Sequence, residues 1–323
     1  MTGQPAEPPK PPKASVLVVS HNRVDQLRRC LESLERSRAC DESPPPGSAS
    51  ERRPAGWGAG VDVKRSGPGG REPGAATARG PEDRQWLDIL VVDNGSTDGS
   101  PQLEADFPAV RFIPLPRNFG LTKALNIGIR ASSGEFVLLL HEDTEVSADA
   151  LGQLAAVLEA RSDAAAVSPL LVDESGAPAP QLGSFPPGGR WTPAEAGSDP
   201  VPVGYARGAA LMVRGFFLKA MRQIDERYGQ FGSDAEICWQ IRRGAKKILL
   251  VPAARVIHRP LASPAPSALL AADAAHGRAA WIGKYQGFAA GVRSRLGAIL
   301  KALAGGRLGE FKHLVSMEKI DGA

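Results

Sequence analysis

Cysteine is nearly absent from this chain. Cys30, Cys40 and Cys238 are its only three in 323 residues, an odd count without CxxC spacing. A zinc ribbon and a disulfide framework are thereby excluded, and Cys30 and Cys238 are expected to be ordinary helix residues. Aromatic residues amount to 6%, and no basic patch interleaves with them, so a formal charge of +4 does not mark a nucleic-acid binder. No apolar run reaches the roughly 20 residues that cross a bilayer. The Pro- and Lys-rich start, through Lys13, lacks the apolar core of a signal peptide. A cytoplasmic location is the expectation from these absences. Glycine is missing from one further place, the turn Ser20-His21-Asn22-Arg23 after the first aliphatic run. A dinucleotide-binding Rossmann domain needs a Gly-rich phosphate turn there.

What is present is a set of aliphatic runs that end in polar clusters. Ser15–Val19 ends in Ser20-His21-Asn22-Arg23, Ile89–Val92 in Asp93-Asn94-Gly95-Ser96-Thr97-Asp98, and Phe136–Leu140 in His141-Glu142-Asp143. Unbroken runs of this kind read as strands buried on both faces. Between them, Val24, Leu27, Leu31 and Leu34 recur at helical spacing with Asn22 as a candidate N-cap, and Leu121, Ala124, Leu125, Gly128 and Ile129 form a second such pattern. A weaker strand is expected at 110–113 and a helix at 148–161. Alternating strands and helices predict an α/β domain, and ligands of such domains gather at the carboxyl ends of the strands.

The segments SVLVVSHNR, ILVVDNGSTDGS, NFGLTKALNIGIRASSGEFVLLLHEDTEV, GYARGAALMVRG and DERYGQFGSDAEICWQIRRGAKKILLVPAARVIH resemble, in order and spacing, the family 2 glycosyltransferases, especially their rhamnosyltransferase-like branch. The resemblance covers roughly residues 14–285 apart from one insertion. It implies an α/β fold of the GT-A nucleotide-diphospho-sugar transferase type, with a mostly parallel central sheet flanked by helices. Residues 1–13 are expected to be a disordered tail, 14–260 the catalytic domain and 261–323 a helical C-terminal extension. Within the domain, 38–84 is dense in Pro, Gly, Ser, Arg and Glu, poor in aliphatic residues, and expected to be a disordered insertion. A second Pro/Gly-rich stretch, 177–202, reads either as a plain loop or as a mobile loop over the site.

The resemblance further implies an inverting, metal-dependent transfer of one sugar from a nucleotide-diphosphate donor to a hydroxyl acceptor, a glycan or lipid-linked molecule of cell-envelope or secondary-metabolite biosynthesis. A catalytically silent sugar-nucleotide-binding relative is the alternative. Asp143 matches the last position of the family's acidic metal motif, with Glu142 beside it and His258 placed to complete a Mn²⁺ or Mg²⁺ site. His141 departs from the Asp or Asn usual in its place. Asp234 matches the general base, although a carboxylate there also reads as a plain helix cap. Ser20, Asn22, Arg23, Asp93 and Asn94 are expected at the nucleotide, and Asn118, Lys123 and Asn126 at the phosphates or sugar. The missing Gln-x-x-Arg-Trp signature argues against a processive synthase.

In the C-terminal extension, Val292, Leu296, Ile299, Leu300 and Leu303 share a helical face with Arg293, Arg295 and Lys301 around it. That pattern fits either packing on the catalytic domain or peripheral contact with the inner face of the plasma membrane.

Overall fold

The structure, a computed structural model, describes residues 12–41, 86–260, 266–318 and 320. Four parallel strands, β1 (Ala14–Ser20), β2 (Leu87–Asp93), β3 (Val110–Pro114) and β4 (Phe136–His141), form one half of a mixed sheet in the order β3-β2-β1-β4. Alternate residues of β1 explain why its run is apolar throughout. Val16 and Val18 pack into a core beneath α1 (Val24–Asp41) and α4 (Ala150–Ala160). Leu17 and Val19 pack into a second core with α3 (Leu121–Ala131) and α6 (Ser233–Arg243). Both faces of the strand are therefore dry. Gly128 of α3 permits the close approach on that second face, since a Cβ there would lie 2.1 Å from Leu17 Cδ1.

Beyond β4 the strand sense changes. β10 (Ala210–Arg214) runs antiparallel to β4 and to β6 (Ala164–Val172), and the long β11 (Lys247–His258) then continues parallel to β6. A register shift between Val251 and Arg255 divides β11 in two. Its first half pairs with β9 (Val201–Val203) and its second with β5 (Thr144–Val146). The parallel half of the sheet matches the sequence expectation, whereas the antiparallel β10 makes the whole sheet mixed.

Helix α1 is not capped by Asn22, which sits in the left-handed region at φ 53. Its first free N–H, on Val24, instead donates to Asp98 Oδ2 at 3.0 Å. The cap thus comes from the loop after β2 and ties two strand ends together. The helix runs on to Asp41, four residues into the expected insertion, whose remaining part through Arg84 lies outside the described residues. Most of the expected N-terminal tail lies outside them as well, but Lys13 is held by Glu135 and Glu159 at 2.7 and 2.6 Å.

The C-terminal residues form α7 (Ser267–Tyr285), α8 (Phe288–Ala304) and α9 (Leu308–Ser316). Helix α7 is bound to the body of the α/β fold. Lys284 and Tyr285 both reach the buried Glu236 of α6 at 2.7 Å, and Asp273 accepts the backbone N–H of Gln230 at 2.8 Å. No described helix is long and apolar enough to cross a membrane.

Candidate active site

The carboxyl ends of β1, β2 and β4 form one polar rim. Pairing in register sets Ser20 against Asp93, both nearly fully buried. Ser20 Oγ and Asp93 Oδ1 have no hydrogen-bond partner within the protein. Buried polar atoms are seldom left so, because desolvating them without a partner costs about 1–3 kcal/mol each. They mark where a polar ligand fits.

The neighbouring asparagines are already engaged. Asn94 donates to Asn118 Oδ1 at 2.8 Å and accepts from the Phe119 N–H at 2.9 Å, while Asn22 Oδ1 accepts from the Thr97 N–H at 2.7 Å. These contacts lash the loops after β1, β2 and β3 to one another. Gly95 makes the same junction sterically necessary: its φ is +74, and a Cβ there would lie 2.3 Å from the Arg117 carbonyl carbon. Asn126 turns elsewhere. Its amide clamps the backbone of Ile224, accepting from the N–H at 2.8 Å and donating to the carbonyl at 2.9 Å. Lys123 and Arg117 each lie 4.7 Å over the Phe119 ring and line a separate cavity with Glu226 and Tyr228.

At the end of β4 the chain turns back into β5, whose antiparallel pairing sets Thr144 opposite His258 of β11. That pairing brings His258 to Asp143, with Nε2 3.4 Å from Oδ1. His141 approaches Asp143 Oδ1 to 3.9 Å, and one donor atom from each of His141, Asp143 and His258 lies within 4.8 Å of the others. His141 thus takes the place expected for Glu142, which is not in this group. His141 ends β4 and Asp143 lies in the turn before β5, so the turn brings the two together and no strand period in the sequence signals it.

The electrostatics of this cluster are compatible with a cation. Burial pushes the His141 ring toward its neutral, ligating form. Burial opposes ionisation of Asp143, but the approach of His258 and the charges of both rings outweigh it and hold the carboxyl below its ordinary range. Asp143 Oδ1 and His258 Nδ1 are buried without hydrogen-bond partners. Two imidazoles and one carboxylate with unspent oxygen capacity fit a divalent metal. Glu142 behaves differently: burial and the adjacent Asp143 charge raise it to about 7, against the opposing charge of Arg23.

One cavity of about 360 Å³ contains this cluster and Asp234 together, with Trp191, Tyr205, Arg207 and Ser233 among its lining residues. Asp234 lies in the first turn of α6, where Gly232, at φ 113, is the N-cap. The plain-cap reading of Asp234 therefore gives way to a first-turn carboxylate. Its Oδ1 accepts from the Tyr205 hydroxyl and the Ala235 N–H, both at 2.8 Å, and its Oδ2 from the Gly208 N–H at 3.2 Å. Burial, followed by the Asp234 charge, raises the Tyr205 phenol far above its ordinary value, so it stays protonated and donating. Tyr205, Gly208 and Arg207 were not singled out in the sequence, although all lie in the segment GYARGAALMVRG.

The stretch 177–202 does border this cavity, through Pro187, Gly188 and Trp191. Phe185 stacks on Tyr205 with ring centroids 4.9 Å apart, and Arg278 of α7 donates to the Pro187 carbonyl at 2.8 Å. Leu270, Ala274 and Gly277 of α7 supply more of the cavity wall. Cys30 and Cys238 lie buried in α1 and α6, where desolvation raises both thiols and leaves them inert.

Residues 82–218 match the family described as glycosyl transferase family 2. Over 206 residues the chain is 29% identical to an N-acetylglucosaminyl-diphospho-decaprenol L-rhamnosyltransferase of Mycobacterium tuberculosis, a match that spans 53% of this chain and 66% of that protein. Among solved structures, TarS 1–349 of S. aureus in complex with UDP-GlcNAc superposes with a TM-score of 0.52 at 15% identity, covering 84% of this chain and 66% of that one. The mannosyltransferase PcManGT of Pyrobaculum calidifontis, in complex with GDP-Man and Mn²⁺, gives 0.51 at 16% identity over 85% and 64%. At these identities the structural likeness is one of fold, which is the GT-A fold. Asp234 and His258 lie beyond residues 82–218. From its polar strand ends, its fold and the match over residues 82–218, this chain is similar to the family 2 glycosyltransferases and, among them, to a rhamnosyltransferase.

Proposed function

We propose that this chain is an inverting, metal-dependent glycosyltransferase that moves a single sugar from a nucleotide-diphosphate donor to a hydroxyl of a glycan or lipid-linked acceptor. The observation that carries this reading is the shared cavity, which sets a held carboxylate, Asp234, in the same space as the His141, Asp143 and His258 cluster. Sugar transfer needs charge compensation at the departing diphosphate and a base at the attacking hydroxyl. The two groups stand on different elements, the cluster on β4, β11 and the turn after β4, and the carboxylate on α6.

In this reading His141, Asp143 and His258 would hold the cation, which would supply Lewis-acid compensation for the charge of the leaving diphosphate. Two imidazoles beside one carboxylate favour Mn²⁺ over Mg²⁺, which prefers an all-oxygen shell. Ser20 Oγ and Asp93 Oδ1 bind the nucleoside with their unspent capacity, Arg23, whose charge acts on Glu142, contributes to the same donor site, and Asn22, Asn94 and Asn118 keep the loops in shape. Asp234 takes the proton of the acceptor hydroxyl. Tyr205 and the Gly208 N–H fix the orientation of its carboxylate, while Arg207 adds positive charge to the cavity where phosphate charge develops. Attack from the Asp234 side inverts the anomeric centre and needs no enzyme nucleophile.

The similarity to a decaprenol-linked rhamnosyltransferase supports a lipid-linked acceptor and a role in envelope glycan assembly at the cytoplasmic face of the membrane. Proton NMR of the product tests the stereochemistry: an α-configured donor should give a β-linked sugar. A product with the donor's own configuration would overturn the inverting role of Asp234.

A further inference from the structure

The inward side of α8 packs on its neighbours through Gly291 and Ala302. Its next face is bare. Phe288, Leu296, Leu300 and Leu303 are 83, 52, 64 and 51% exposed, and Val292 is exposed between them. At 100° per residue these positions fall in one unbroken stripe along the helix. On α9, Leu308 and Val315 are also exposed, at 68 and 53%. Isolated apolar residues on a surface need no explanation, but a continuous stripe of large ones costs free energy unless something covers it.

Charge identifies what covers it. Helix α8 carries Arg293, Arg295 and Lys301 and no acidic residue, and Lys312 follows on α9. Arg293 and Lys301 are exposed, with Arg293 next to the apolar stripe on the helical wheel. Among the described residues from α8 onward the acids are Glu310 and Glu318, and both are engaged, by Arg307 at 3.1 Å and by His313 at 2.7 Å. A long apolar stripe bordered by unopposed cations suits a helix lying in the headgroup region of an anionic bilayer, where the side chains enter the acyl boundary and the cations meet lipid phosphate. A protein partner would need an apolar groove with acidic residues placed along it, whereas an anionic bilayer offers both features to any such helix.

We propose that the exposed faces of α8 and α9 are a docking surface for an anionic lipid bilayer. The position suits a transferase acting at a membrane. Helix α7, against which α8 and α9 pack, supplies Leu270, Ala274, Gly277 and Arg278 to the wall of the active-site cavity. Docking through α8 would therefore set that cavity close to the lipid. The surface goes beyond the catalytic reading and stands without it, since binding to lipid is measured with no substrate present.

The test is sedimentation of the full chain with vesicles, one set of phosphatidylcholine alone and one of phosphatidylcholine and phosphatidylglycerol in equal parts. The protein should sediment with the anionic vesicles and only weakly with the neutral ones, and added salt should release it. The combined substitutions Leu296→Ser, Leu300→Ser and Leu303→Ser should reduce anionic-vesicle binding by about tenfold or more. Arg293→Gln with Lys301→Gln should keep the neutral-vesicle binding and lose most of the preference for phosphatidylglycerol. All five positions are exposed, so the thermal unfolding of both variants should match the parent. No binding of the parent to either vesicle, equal binding by the serine variant, or a concentration-dependent dimer that the serine substitutions dissolve would each overturn the proposal, the last in favour of a second copy of the chain.

Discussion

The hydroxyl of Tyr205 donates to Asp234 Oδ1 across 2.8 Å, joining the chain before β10 to the first turn of α6. Ring stacking with Phe185 and edge contact with Trp191 hold the phenol in place. Removing the hydroxyl alone should leave the fold intact and loosen the carboxylate. Hydrogen bonds to charged groups contribute about 1.5–3 kcal/mol, so Tyr205→Phe should lower kcat by roughly 10- to 100-fold. The Kd for the nucleotide sugar, read by calorimetry, should stay as it was; a parallel loss of donor binding would place Tyr205 at the donor instead.

Asp234→Asn keeps the size of the side chain and removes its capacity to take a proton. Transfer should fall by about 10²- to 10⁴-fold, the usual worth of general-base catalysis, with donor affinity unchanged. Wild-type transfer rates in the folded variant would remove Asp234 from the chemistry.

The metal cluster and its neighbour Glu142 should separate cleanly. His141→Ala removes an imidazole from the cluster, so Mn²⁺ affinity measured by calorimetry or electron paramagnetic resonance should drop at least about tenfold. Glu142→Gln should change that affinity far less. The reverse ranking would return Glu142 to the metal and assign His141 to the scaffold.

Asp98 links stability to pH through the cap of α1. Burial works against its ionised form, but the hydrogen bonds from Ser100 and the Val24 N–H outweigh it and lower its pKa. Its contribution is therefore fully present above the ordinary Asp value and disappears as pH falls through the lower folded-state value. Asp98→Ala should cost about 0.5–2 kcal/mol at neutral pH, as losses of helix caps do. Chemical denaturation should show that difference shrinking in strong acid, and a pH-independent difference would contradict the linkage.

Gly95 offers a check on the junction between the loops after β2 and β3. A Cβ at φ +74, within 2.3 Å of the Arg117 carbonyl carbon, cannot be accommodated without moving the loop after β3. Gly95→Ala should destabilise the protein by about 1–3 kcal/mol and weaken donor binding together with it. Unchanged melting temperature and donor affinity would show that the junction yields more readily than its packing implies.

The strands and their polar ends were legible in the sequence because a doubly buried strand must be apolar at every position, as Val16 to Val19 are. The antiparallel sense of β10 was not, since Ala210–Val213 would be equally apolar in either direction. The approach of His258 to Asp143 depends on β5 pairing with β11 across more than a hundred residues, and no local pattern encodes it. Family resemblance suggested that approach, and geometry added His141. Asparagine was the least readable residue type. Asn22, Asn94 and Asn126 stand beside strand ends or on a cavity-facing helix, where an amide serves a ligand or a loop backbone equally well, and here each holds a loop. In α8 the periodicity gave the apolar face, but only packing distinguishes Ile299, which joins a small core with Ala272 and Leu314, from the bare Leu296 and Leu300.

The most direct measurement of the central claim is a screen of nucleotide sugars for release of the nucleoside diphosphate, using metal-stripped protein with and without added Mn²⁺, beside Asp143→Asn. The account predicts turnover of at least one nucleotide sugar by the parent protein with Mn²⁺, none in EDTA, and a collapse of activity in a folded Asp143→Asn variant. Equal turnover in EDTA, or full activity of Asp143→Asn at saturating Mn²⁺, would contradict it.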